Sequence, residues 1–100
     1  MKKVEVEFDG KKYVFGLRYI TYGERKKILK KSMSNEGLDY PEAEHWLLTY
    51  SIETVEPEDV LDVSLKKKDI KKFYKAIEEL PDPVLVVVAR EVMSMNPLLG

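Results

Sequence analysis

The side chains best suited to acid–base or metal chemistry lie in one short stretch, Glu42-Ala43-Glu44-His45-Trp46, which holds the only histidine of the 100-residue chain. Metal sites normally gather several His or Cys ligands at close spacing. Here one imidazole stands among scattered carboxylates, and the chain has no cysteine. On a helix His45 turns away from the apolar side made by Ala43, Trp46, Leu47 and Tyr50, so the sequence predicts a solvent-exposed surface histidine. Nucleophilic catalysis needs a hydroxyl or thiol beside an orienting base, and glycoside hydrolysis needs two converging carboxylates. Ser32, Ser34, Ser51, Ser64 and Ser94 sit in no such setting. The acidic stretch from Glu56 to Asp62 lacks the Asp/Asn alternation and central glycine of a calcium loop, and no glycine-rich phosphate loop occurs. The expectation is a protein that is not an enzyme and needs neither metal nor cofactor, with no small-molecule substrate.

Cations are the second candidate. Six basic residues against Glu24 lie between Arg18 and Lys31, nine acidic residues and no Lys or Arg between Ser32 and Leu65, and six lysines against Asp69 between Lys66 and Lys75. Lys68, Lys71, Lys72 and Lys75, with Lys26, Lys27, Lys30 and Lys31 as a second face, could neutralise phosphates in a small nucleic-acid-binding regulator. The plainer reading is that they are the solvated backs of amphipathic helices opposite an acidic middle. Arginine, the better reader of bases and phosphates, occurs only at Arg18, Arg25 and Arg90.

These residues have to be placed by one small body. A chain of 11.6 kDa can bury a core without disulfides or metals, but not two such cores, so residues 1–100 are taken as a single domain. The net charge of −1 predicts no particular partner. The longest apolar run, Val84 to Ala89, is far short of a membrane span, and Glu5, Glu7 and Asp9 interrupt any signal-like start. A cytoplasmic protein with no membrane partner is expected. Glutamine is absent and Lys with Glu dominate the polar positions, a bias of proteins from hot environments that suggests a thermophilic source.

Val4, Val6 and Phe8 alternate with charged residues before Asp9-Gly10, and Tyr13, Phe15 and Leu17 alternate after it. Period two on both sides of Asp-Gly predicts an antiparallel hairpin over about residues 2–18. A two-residue turn places Phe8 opposite Lys11, Val6 opposite Tyr13 and Val4 opposite Phe15. Thr21 and Glu24 have capping-box spacing for a helix at about 22–33. Pro41 and the apolar series Ala43, Trp46, Leu47 and Tyr50 predict a second helix at about 41–53, followed by an acidic connector from Val55 to Ser64. Ile70, Phe73, Tyr74, Ile77 and Leu80 predict a third over about 66–80. Asp82 as cap and Pro83 in the first turn predict a last helix at about 83–95, although the run Val84 to Val88 would also suit a buried strand. The fold class is α+β: an N-terminal two-stranded hairpin packed against about four helices.

The last helix is the anomaly. Val84, Leu85, Val88, Val92 and Met95 make a core side, yet Val86 and Met93 point roughly the other way, and Leu98-Leu99 follow. Such a helix is either central and covered by its own domain or covered by a partner. Methionine suits adaptable binding surfaces.

The order of elements, with Leu17-Arg18-Tyr19-Ile20-Thr21 leading into a Glu24-Arg25 helix, a late Leu80-Pro81-Asp82 break and a final helix ending near Asn96, resembles the tail assembly chaperones of tailed phages and related proviral elements. The resemblance implies a non-catalytic cytoplasmic protein that coats the long helical tape-measure protein during tail assembly and can self-associate. It also implies that Val86, Met93, Leu98 and Leu99 form the partner or homo-oligomer surface.

Overall fold

A computed structural model describes residues 1–98. Strands β1 (Lys2–Phe8) and β2 (Lys11–Leu17) form the hairpin. Asp9 and Gly10 both have positive φ, 53° and 73°, the geometry of a type I′ turn whose twist matches that of the strands. The register pairs Val4 with Phe15, Val6 with Tyr13 and Phe8 with Lys11, as the alternation requires. One face of the ribbon therefore buries Val4, Val6, Tyr13, Phe15 and Leu17.

Helix α1 (Tyr22–Ser32) opens with the capping box: the Thr21 hydroxyl accepts from the Glu24 amide at 3.1 Å and the Glu24 carboxylate from the Thr21 amide at 2.9 Å. Met33 then leaves the helix for a miniature hairpin of β3 (Met33–Ser34) and β4 (Gly37–Leu38). Asp39 caps α2 (Tyr40–Ser51), accepting from the Glu42 amide at 3.1 Å.

The helix expected to reach residue 53 stops at Ser51, and a third strand, β5 (Ile52–Glu56), takes up the expected helix end and the first two residues, Val55 and Glu56, of the expected connector. It adds antiparallel to β2, giving the order β1-β2-β5. A bulge at Gly16/Leu17 sets Thr54 opposite Gly16 but Ile52 opposite Leu17, so Glu53 is the extra residue. Gly16 is required there, because a Cβ would overlap the Thr54 hydroxyl and the Met1 sulfur. A 3₁₀ turn follows at Glu58–Val60.

The single helix expected over 66–80 is two. α3 (Leu65–Lys68) ends at Asp69, whose backbone is extended (φ −158°, ψ 96°), and whose carboxylate caps α4 (Ile70–Ile77) by accepting from the Lys71 and Lys72 amides. An aspartate that can satisfy the free amides of a new helix start competes with continuing the helix through it, and the apolar period begins only at Ile70. The run Val84 to Val88 is helical, within α5 (Asp82–Met95). Asp82 is its first residue rather than its cap, a position held by Pro81.

The fold is mixed α+β around one core, with Phe15, Leu17, Ile28, Leu47, Ile52, Phe73, Ile77, Val84, Val88 and Val92 essentially inaccessible. α5 is the central helix, packed against both β1 and α2. α1 and α4 flank α2. Among the described residues no helix is long and apolar enough to cross a membrane.

Candidate functional site

α5 is divided lengthwise by its own periodicity. Val84, Val88 and Val92 are fully buried, whereas Val86 and Met93 remain 38% and 42% exposed. Those two, with the exposed Arg90 between them, follow i, i+4, i+7 spacing on one stripe. At 1.5 Å rise per residue they stand about 10 Å apart along the axis, the separation at which a partner helix presents successive anchors.

Each borders a groove between α5 and α2. Val86 lines one of about 290 Å³ with Leu85, Pro41, His45 and Leu48. Met93 lines another of about 260 Å³ with Leu38, Tyr40, Ala43, Pro97 and Leu98. Glu44 contributes to both. The surface is thus concave at two points: the Met93 groove is mostly apolar, whereas the Val86 groove adds the carboxylates of Glu78 and Asp82 to that of Glu44, with Arg90 exposed on the stripe between them.

Of the other positions implied for this surface, Leu98 is half-buried, packs on the core, and accepts a hydrogen bond from Arg25 through its carbonyl. It is therefore a wall of the Met93 groove more than a free anchor. Leu99 lies outside the described residues. Val87 was not singled out by sequence reasoning, yet it is 40% exposed. It lies in a groove of about 440 Å³ shared with Lys2, Lys3, Val4, Arg90 and Glu91, on the β1 side of α5. Its place in the unbroken run Val84 to Val88 was the available signal, since a helix cannot bury five consecutive positions on one side.

His45 is not the exposed surface residue its helical phase suggests. Its ring lies on that of Tyr74, and its Nε2 hydrogen-bonds the Tyr74 carbonyl at 2.8 Å. Tyr74 also donates through its hydroxyl to Glu42 at 2.7 Å, and the Trp46 indole donates to the same carboxylate at 2.9 Å. Burial, reinforced by the adjacent Glu42 carboxylate, pushes the Tyr74 phenol far above the ordinary tyrosine range, so its proton stays in place. This cluster clamps α4 onto α2. Among the described residues no group of three or more His, Cys, Asp or Glu side chains is arranged to hold a metal ion.

The lysine faces separate into free and engaged members. Lys68, Lys71, Lys72 and Lys75 are exposed and form no salt bridge among the described residues. In the second face Lys31 sits 4.5 Å from the Trp46 ring centre, a cation–π contact. Lys66, which opens the basic run, turns inward: its ammonium donates to the carbonyls of Tyr50 and Ile52 and to Glu53 at 2.6, 2.9 and 3.0 Å. Burial lowers its pKa, partly offset by Glu53. Arg18 completes this network with a bidentate pair to Glu24 at 2.8 and 2.6 Å and a contact to Glu53 at 2.5 Å, tying β2, α1 and β5 together.

No family model, curated protein or solved structure matches the chain.

Proposed function

We propose that this is a non-catalytic, cytoplasmic protein of the tail assembly chaperone kind, which shelters a helical partner such as a phage or proviral tape-measure protein against α5. The observation that carries the reading is the pair Val86 and Met93, both substantially exposed on the helix that otherwise forms the centre of the core. A globular body of this size has every reason to cover such side chains if they serve only stability, since each buried aliphatic side chain contributes about 1.5–3 kcal/mol. Leaving two of them uncovered at i, i+7 beside paired grooves suits a partner helix inserting its own apolar side chains. The reading also draws on the resemblance of the Leu17 to Glu24 segment to that family.

The test is co-expression with a tape-measure protein. The wild-type chain keeps it soluble and co-purifies with it, while Val86→Asp and Met93→Asp stay folded and lose it. Retention of the partner by both variants removes this surface from consideration.

A second reading rests on the exposed lysines of α3 and α4, which form no salt bridge among the described residues. If Lys68, Lys71, Lys72 and Lys75 bind nucleic acid, the chain is retained on DNA or RNA in a salt-dependent manner that weakens when Lys71 and Lys72 become glutamate. Salt-independent behaviour, or no change in the variant, eliminates it.

A further inference from the structure

The two edges of the three-stranded sheet differ. β5 is closed off: it is only five residues long, is bulged against β2, and runs into Pro57 and the 3₁₀ turn. β1 has none of these devices. Its seven residues pair with β2 without a register break, it contains no proline, and on its core-facing side Val4 and Val6 are apolar, while Lys2 at the exposed start of the strand is paired with Glu91 of α5 at 3.0 Å. Sheet edges are usually protected by bulges, prolines or inward-pointing charges.

The turn fixes which backbone groups β1 leaves open. In a two-residue hairpin Phe8 and Lys11 form the closing hydrogen-bonded pair, so residues 8, 6, 4 and 2 direct their amides and carbonyls to β2. Lys3, Glu5 and Glu7 direct theirs outward, and among the described residues no backbone or side-chain group bonds to them. Their side chains are exposed on the sheet face away from the core.

We infer that this edge pairs with the same edge of a second copy of the chain, antiparallel about a twofold axis, with Lys3 of each copy opposite Glu5 of the other. Two features select this occupant and register. An antiparallel ladder must match outward-bonding residues with one another, which restricts the twofold pairings of this short strand to few alternatives. Setting Lys3 opposite Glu7 forces Glu5 against Glu5, a like-charge pair. The register with Lys3 opposite Glu5 instead makes two opposite-charge pairs by symmetry, and Val4 meets Val4. Glu5 then lies between the partner's Lys3 and its own Lys12, already 3.4 Å away. The exposed Val87 of α5 shares a groove with Lys3 and Val4, so the apolar patch continues beside the ladder. The joined sheet has six strands. Neither the tail-assembly reading nor the Val86 and Met93 face enters into this inference.

Sedimentation of the full chain from about 1 µM to about 1 mM tests it. The wild type shows a concentration-dependent monomer–dimer equilibrium. Lys3→Glu and Glu5→Lys each weaken the dimer about tenfold, because both symmetric pairs turn repulsive. The double variant Lys3→Glu/Glu5→Lys restores it, as does an equimolar mixture of the two single variants. Val86→Asp leaves it unchanged. A chain that stays monomeric throughout overturns the inference and leaves the edge to a foreign strand. So does a dimer indifferent to the charge swaps, and a dimer lost in Val86→Asp alone assigns self-association to the α2 side of α5 instead.

Discussion

The imidazole of His45 lies flat on the phenol of Tyr74, with ring centres 3.5 Å apart and planes within 13°, although 29 residues separate the two in sequence. The same imidazole satisfies the Tyr74 carbonyl, in the last turn of α4, where carbonyls lack helical donors. A carbonyl only accepts, so Nε2 carries the proton.

His45→Ala removes a stacked pair and a hydrogen bond together and is expected to lower stability by about 2 kcal/mol. His45→Phe, which keeps the stacking area, recovers part of that. Urea denaturation of the three proteins checks the order wild type, Phe, Ala.

Adjacent valines of α5 should respond very differently to truncation. Val88 is fully buried and Val87 is 40% exposed. Val88→Ala is expected to cost about 2 kcal/mol and Val87→Ala less than about 0.5 kcal/mol. Thermal unfolding of both variants compares them directly.

Acid should unfold the chain through the Arg18 network. Hydrogen bonding to Arg18 holds the Glu24 carboxyl below its ordinary value of 4.5. For Glu53 burial pushes upward, but the hydrogen bonds from Lys66 and Arg18 outweigh it and the net shift is also downward. In this window the unfolded chain binds more protons than the folded one, so stability falls as pH falls. The stabilisation from both groups is complete above the ordinary carboxylate pKa of 4.5 and is lost as pH drops through their lower folded values. Glu24→Gln should reduce stability at neutral pH by about 1–2 kcal/mol and flatten the acid limb of a stability–pH curve.

Asp69→Ala deletes the cap that separates α3 from α4. A loss of about 1 kcal/mol is expected, with faster hydrogen exchange at the Lys71 and Lys72 amides that the carboxylate now holds. Unchanged exchange at those two amides contradicts the capping role.

The elements legible in the sequence are those whose signals are local. Asp9-Gly10 with period two on both sides defines the hairpin and its register, and Thr21 with Glu24 defines the start of α1. β5 escaped because its bulge inserts Glu53, so the buried residues Ile52 and Val55 stand three apart and mimic a helical period running on from α2. The break at Asp69 was masked for a different reason: the apolar spacing of Ile70, Phe73 and Ile77 begins only after it, and the lysine-rich Leu65–Lys68 carries no apolar period whose interruption would show.

The candidate surface was half legible. Helical phase alone separates Val86 and Met93 from Val84, Val88 and Val92, because all lie on one element. What sequence could not supply was the position of α2, which puts a groove beside each of them, or of α4, which covers His45. Lys66 belongs to the same class: nothing in a lysine-rich run marks the one member whose ammonium meets the carbonyls at the end of α2.

The most direct test of the α5 surface is residue-level NMR mapping of the labelled chain titrated with a synthetic amphipathic helical segment of a tape-measure protein. Shifts concentrated at Val86 and Met93, extending to Leu85 and Tyr40 in the flanking grooves, are the predicted result. Shifts confined to Lys68 through Lys75, or none at saturating peptide, would contradict it.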